Sequence, residues 1–159
     1  MEDQESVFNK VLAIIDGVLK DPKATVESSE DYCSISGKEG KISKYKGGLF
    51  SVNDIYEVNN FTIKRRGEKA DIEFKGNTYS IRSSVLTNML DSFKHVYDII
   101  RERSLLNSLK GKVVDFCDYM WDEECSHGSV YVIFTDGTAL TVNGSYEEYG
   151  FFDFEVGVP

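Results

Sequence analysis

Cys117, Cys125 and His127 stand close together in the chain, with Asp118 and Asp122 between them. Thiolate, imidazole and carboxylate are the ligand types zinc takes. The spacing C-x7-C-x-H, however, follows no common zinc pattern, and no C-x2-C knuckle accompanies it. The carboxylates alone suit a hard cation, yet no 12-residue Ca²⁺ loop pattern is present. A Cys–His pair, Cys125 with His127 or Cys33 with His95, has the residue types of a nucleophile and its base. The chain holds only 2 histidines, and neither sits in a recognisable catalytic motif. Gly37-Lys38-Glu39-Gly40-Lys41 is rich in glycine and lysine but lacks phosphate-loop spacing. Lys64-Arg65-Arg66 is followed by Glu68 and Asp71 and reads as an ordinary hairpin turn; with Arg82 it also suits a pocket for a small anion. On these grounds we expect no catalytic residue, no metal, no cofactor and no enzymatic activity.

A stronger signal lies in the charge map. The formal net charge is -9, from 18 basic and 27 acidic residues. Lys112 is the last lysine or arginine. Beyond it come Asp115, Asp118, Asp122, Glu123, Glu124, Asp136, Glu147, Glu148, Asp153 and Glu155. A solubility surface normally mixes signs. Asymmetry of this kind points to a partner of opposite charge or to a metal. Aromatics are interleaved with the acids: Trp121, Tyr146, Tyr149 and Phe151. Carboxylates set with aromatic residues suit binding to a basic protein surface, the rings supplying buried area and the charges steering association.

These residues need elements to position them. The spacing predicts an α+β fold. Within 1–22 an N-terminal helix runs from Ser6 to Lys20, with Val7, Phe8, Val11, Leu12, Ile15, Val18 and Leu19 at helical spacing. Pro22 ends it. The part 31–82 reads as antiparallel strands, with Phe61–Lys64, Ala70–Phe74 and Thr78–Arg82 in a meander. A long central helix fills 84–110, capped by Ser83 or Ser84 and closed by Gly111. It would run about 39 Å, so a break near Arg103-Ser104 is expected. The part 112–157 reads as a four-stranded antiparallel meander: Val113–Trp121, Ser129–Thr135, Thr138–Asn143 and Phe151–Val156. Asp136-Gly137 is a two-residue hairpin signal. In a simple up-and-down order the connections 122–128 and 144–150 lie at one end. The last strand then sends Phe152, Phe154 and Val156 to one face and Phe151, Asp153 and Glu155 to the other.

A length of 159 residues, 41% hydrophobic and 13% aromatic, fits one globular domain over 1–159. No run approaches the ~20 apolar residues of a membrane span. The opening Met1-Glu2-Asp3-Gln4-Glu5 is acidic where a signal peptide is basic. Three sparse cysteines make no disulfide framework and are expected as free thiols. The cytoplasm of a bacterial host is the expected location.

Small size, a compact domain, the acidic stretch Asp115–Glu124 and Tyr146-Glu147-Glu148-Tyr149 resemble the anti-CRISPR proteins that inhibit type II CRISPR effector nucleases. The resemblance implies a phage or mobile-element protein that acts as a stoichiometric inhibitor. Its partner would be a basic nuclease, with its guide RNA, and its carboxylates would stand where nucleic acid belongs. The expected partner-binding residues are Asp118, Trp121, Asp122, Glu123, Glu124, Tyr146, Glu147, Glu148, Tyr149, Phe151, Asp153 and Glu155. No direct nucleic-acid binding is expected. Two other readings stay open: a sponge for a signalling nucleotide, using the basic hairpin, and an immunity-type binding protein.

Overall fold

The computed structural model describes residues 2–47, 53–124, 127–145 and 151–157; for Asp122, His127, Ser145 and Phe151–Gly157 it describes the backbone alone. The fold is α+β. The backbone gathers into two compact units, Met1–Arg101 and Glu102–Pro159, where the sequence was read as one domain.

The first unit opens with helix α1, Gln4–Leu19. Asp3 caps it, its carboxylate accepting the Ser6 amide at 2.7 Å. Val7, Val11, Ile15 and Val18 recur every three to four residues and are fully buried. After Pro22 the chain forms seven strands: β1 Thr25–Ser28, β2 Tyr32–Ser36, β3 Lys41–Tyr45, β4 Asp54–Val58, β5 Phe61–Arg66, β6 Lys69–Phe74 and β7 Asn77–Arg82. They pair in strict chain order, all antiparallel. The expected meander is present and has two strands' worth of refinement. β1 was not anticipated, being four residues long and mostly exposed. β5 runs on through Arg65 and Arg66, which were placed in a turn. Gly67 and Glu68 alone make that turn, with Gly67 at φ 60°. Lys75 and Gly76, both at positive φ, make the next one between Phe74 and Asn77.

Alternation along the strands buries one face. Ile35, Ile42, Tyr56, Val58, Ile63 and Ile72 share a single core with the buried stripe of α1. The same core takes Leu86, Leu90, Phe93, Tyr97 and Ile100. Those five belong to two helices, α2 Ser84–Asp91 and α3 Phe93–Asn107. The long helix is therefore broken, but at Ser92 and not at Arg103-Ser104. The Ser92 hydroxyl donates to the Met89 carbonyl at 2.7 Å, and its backbone sits at φ -78°, ψ -9°. A serine that bonds back to the preceding turn bends the helix there. Ser83 caps α2 as expected, accepting from the Leu86 amide.

The second unit carries β8 Val114–Asp122, β9 His127–Phe134, β10 Ala139–Ser145 and β11 Phe151–Gly157. They form a four-stranded antiparallel sheet in the order β11-β10-β9-β8, the up-and-down order expected. Asp136-Gly137 makes the tight turn, Gly137 at φ 87°. The Asp136 carboxylate accepts from the Thr138 amide at 2.9 Å and hydroxyl at 2.6 Å, and pairs with Lys112. These donors, Lys112 foremost, hold its carboxyl well below the usual range.

Candidate functional site: the acidic sheet

Pairing register sorts the positions of this sheet into cross-strand rows. Asp118–Tyr131–Thr141–Glu155 is one row, Met120–Ser129–Asn143–Asp153 the next but one, and Asp122–His127–Ser145–Phe151 the last. Rows of one parity share a face. Four of the expected acids, Asp118, Asp122, Asp153 and Glu155, therefore fall in same-parity rows. They occupy the two edge strands, about 14 Å apart at the usual inter-strand spacing. Between them lie uncharged positions. The Ser129 hydroxyl donates to the Asn143 side-chain oxygen at 2.6 Å.

The same register puts the ends of β8 and β10 and the starts of β9 and β11 in one row, Asp122–His127–Ser145–Phe151. Glu123 and Glu124 follow β8 at that end and are exposed. Tyr146, Glu147, Glu148 and Tyr149 lie outside the described residues.

Trp121 falls in the alternate rows. These are Cys117–Val132–Leu140–Val156, Tyr119–Val130–Val142–Phe154 and Trp121–Gly128–Gly144–Phe152. They contain no charged position. Gly128 has no side chain, and a Cβ placed there would lie 2.8 Å from Tyr119 Oη and 2.9 Å from Trp121 Cε3. Both rings thus lean over the glycine. Tyr119 is 57% exposed, Trp121 40% and Val130 39%. Tyr119 and Val130 were not singled out from sequence. The signal was weak, because apolar residues run unbroken through Tyr119-Met120-Trp121 and through Val130–Phe134, so alternation alone does not sort them.

β8 is an edge strand and is exposed at every position from Val114 to Trp121. The Tyr119 amide is bonded by the Asp118 carboxylate at 2.8 Å. Asp118 thereby occupies a peptide donor on the open edge, one of the ways edge strands resist pairing with strangers.

The other candidate chemistries come out as follows. Among the described residues no group of three or more His, Cys, Asp and Glu is placed to hold a metal. Cys117 is exposed on β8; Cys125 and the His127 side chain lie outside what is described. Cys33 Sγ lies 3.7 Å from Ser28 Oγ and interacts with the Tyr97 phenol, while His95 is on the exposed side of α3. In the Gly37–Lys41 turn the Lys38 amide already donates to Asp21 at 2.7 Å. Three cations of the basic hairpin are ion-paired: Lys64 with Glu73 at 2.9 Å, Arg82 with Glu68 at 4.0 Å, and Arg65 with Asp91 of α2. Arg65 also donates to the Gly67 carbonyl at 2.8 Å and the Thr87 carbonyl at 3.4 Å, tying β5 to α2. No helix is long and apolar enough to cross a membrane among the described residues. Comparisons with protein-family models, curated proteins and solved structures return no match to this chain.

Proposed function

We propose that this chain is a non-enzymatic acidic binding protein that inhibits a basic, nucleic-acid-handling partner. A type II CRISPR effector nuclease with its guide RNA is the partner class the sequence resemblance favours, with a phage or mobile element as the source and the bacterial cytoplasm as the setting. The observation that carries the reading is the row pattern: Asp118 and Asp122 on β8 share parity with Asp153 and Glu155 on β11, in a segment without a lysine or arginine. A channel that grips phosphates is lined with Lys and Arg. Acidic positions on both edge strands of the sheet supply carboxylates to compete for those cations, with uncharged positions between them. Carboxylates placed this way raise the association rate and set specificity.

The test is affinity purification on the full chain at two salt concentrations, with nuclease inhibition measured in parallel. Recovery of a basic nuclease is expected, with binding weakened as salt screens the steering. Asp153→Lys with Glu155→Lys, and separately Glu147→Lys with Glu148→Lys, should each weaken inhibition by about tenfold or more, the scale of losing charged hydrogen bonds. Inhibition that survives both pairs of reversals refutes the acidic-sheet reading.

A further inference from the structure

The first unit holds a cleft of about 590 Å³ between one end of strands β1–β4 and the first turns of α3. That volume lies in the range of small-molecule sites. Its lining departs from the character of the chain. In a protein of formal net charge -9, four cations, Lys44, Lys46, Lys94 and Arg101, face this cleft against two carboxylates, Asp54 and Asp98. Only one of these cations is neutralised locally, Lys94 with Asp98 at 3.0 Å. Lys44 lies 5.6 Å from the centre of the Tyr56 ring, and Lys46 donates to the Ser29 carbonyl at 2.7 Å. Among the described residues, Lys44, Lys46 and Arg101 have no carboxylate within ion-pair distance.

The lining contributed by α3 includes two aromatic residues beside Lys94 and Arg101. These are Phe93 and Tyr97, their rings 6.2 Å apart and inclined by only 22°. Both are buried in the core, so their positions are set by packing and not by a ligand. An apolar wall with a cationic rim is the arrangement that suits a molecule with a flat ring at one end and phosphate at the other. A bare phosphate would use the rim and leave the wall and most of the volume empty.

We infer that this cleft is a binding site for a nucleoside phosphate, with Lys44, Lys46 and Arg101 holding the phosphates and the base lying toward Phe93 and Tyr97. The site lies wholly in the first unit and does not depend on the acidic sheet. It also differs from the basic hairpin of Lys64–Arg66, where Lys64 pairs with Glu73 and Arg65 with Asp91.

Isothermal titration calorimetry on the full chain tests it, with ATP, AMP and inorganic pyrophosphate as the probes. ATP should bind with a Kd of roughly 1 mM or tighter, AMP more weakly, and pyrophosphate more weakly than ATP because it lacks the base. Lys46→Gln with Arg101→Gln should raise the ATP Kd about tenfold, while Lys69→Gln with Arg82→Gln, away from the cleft, should leave it unchanged. Circular dichroism of each variant checks that the fold is kept; both substituted pairs are exposed. No heat with ATP at about 5 mM overturns the site. So does equal weakening by the two pairs of substitutions. Pyrophosphate binding as tightly as ATP overturns the assignment to a nucleoside.

Discussion

Replacing Tyr56 by phenylalanine should flatten the alkaline end of the stability profile. Tyr56 is 1% exposed. Its ring meets Phe93 edge-on at 6.2 Å, and its hydroxyl donates to the Leu90 carbonyl at 3.5 Å. Burial, reinforced by the nearby Asp54 carboxylate, pushes the phenol up to about 12 from its usual 10. The folded protein therefore keeps a proton that the unfolded chain releases above pH 10. Its contribution is complete below pH 10 and is lost as pH rises through 12. At 1.36 kcal/mol per pKa unit, the loss from this residue alone is about 2 kcal/mol by pH 11.5. Tyr56→Phe keeps the ring and removes the titration. At pH 8 it should cost about 1 kcal/mol or less, since the hydrogen bond is long. Urea unfolding at pH 8 and pH 11.5 measures both, followed by circular dichroism. The only tryptophan, Trp121, is in the second unit, whereas Tyr56 is in the first. The wild type should lose about 2 kcal/mol more than the variant between the two pH values. Equal losses would refute the claim that the phenol is held neutral by burial.

Two further outcomes follow from the glycines. Gly67→Ala, at φ 60° with open space around it, should cost about 1–2 kcal/mol; Gly40→Ala should cost more, because its Cβ would strike Asn59, whose side chain accepts the Lys41 amide at 2.9 Å. Thermal unfolding of the two variants gives the order. Gly128→Ala would place its Cβ 2.8 Å from Tyr119 Oη and 2.9 Å from the indole carbon Cε3 of Trp121, so the ring must move: tryptophan emission should shift and stability should fall by about 1 kcal/mol or more; an unchanged spectrum would mean the ring does not rest on that glycine.

The elements whose periodicity was long were legible in the sequence. Val7, Val11, Ile15 and Val18 identify α1, and the alternation through β5, β6 and β7 identifies a meander. Asp136-Gly137 marks its hairpin. β1 escaped because Thr25-Val26-Glu27-Ser28 is short and polar, held by pairing with β2 and not by burial. The position of the helix break escaped because a serine in a helix bends it only when its hydroxyl turns back to the preceding carbonyl, which the residue type does not reveal. Of the acidic positions, Asp118, Asp122, Asp153 and Glu155 could be assigned to rows of one parity once the strand order was right, since register follows from alternation. The cleft was not legible. Lys44, Lys46, Lys94 and Arg101 are scattered over 58 residues, and only the docking of α3 beside the strand ends gathers them.

The strictly sequential order of the first sheet has a consequence for how the molecule is made. Each strand from β2 to β7 pairs with the one synthesised just before it. No strand must wait for a distant one to emerge, so every pairing step closes a short loop, the condition under which folding is fast. A ribosome delivers roughly 5–20 residues per second, slower than hairpin formation by orders of magnitude. The sheet can therefore lengthen strand by strand as the chain appears, with α1 already present to cover its growing inner face. The helices α2 and α3 come last, and their arrival both completes the core and closes the wall of the cleft.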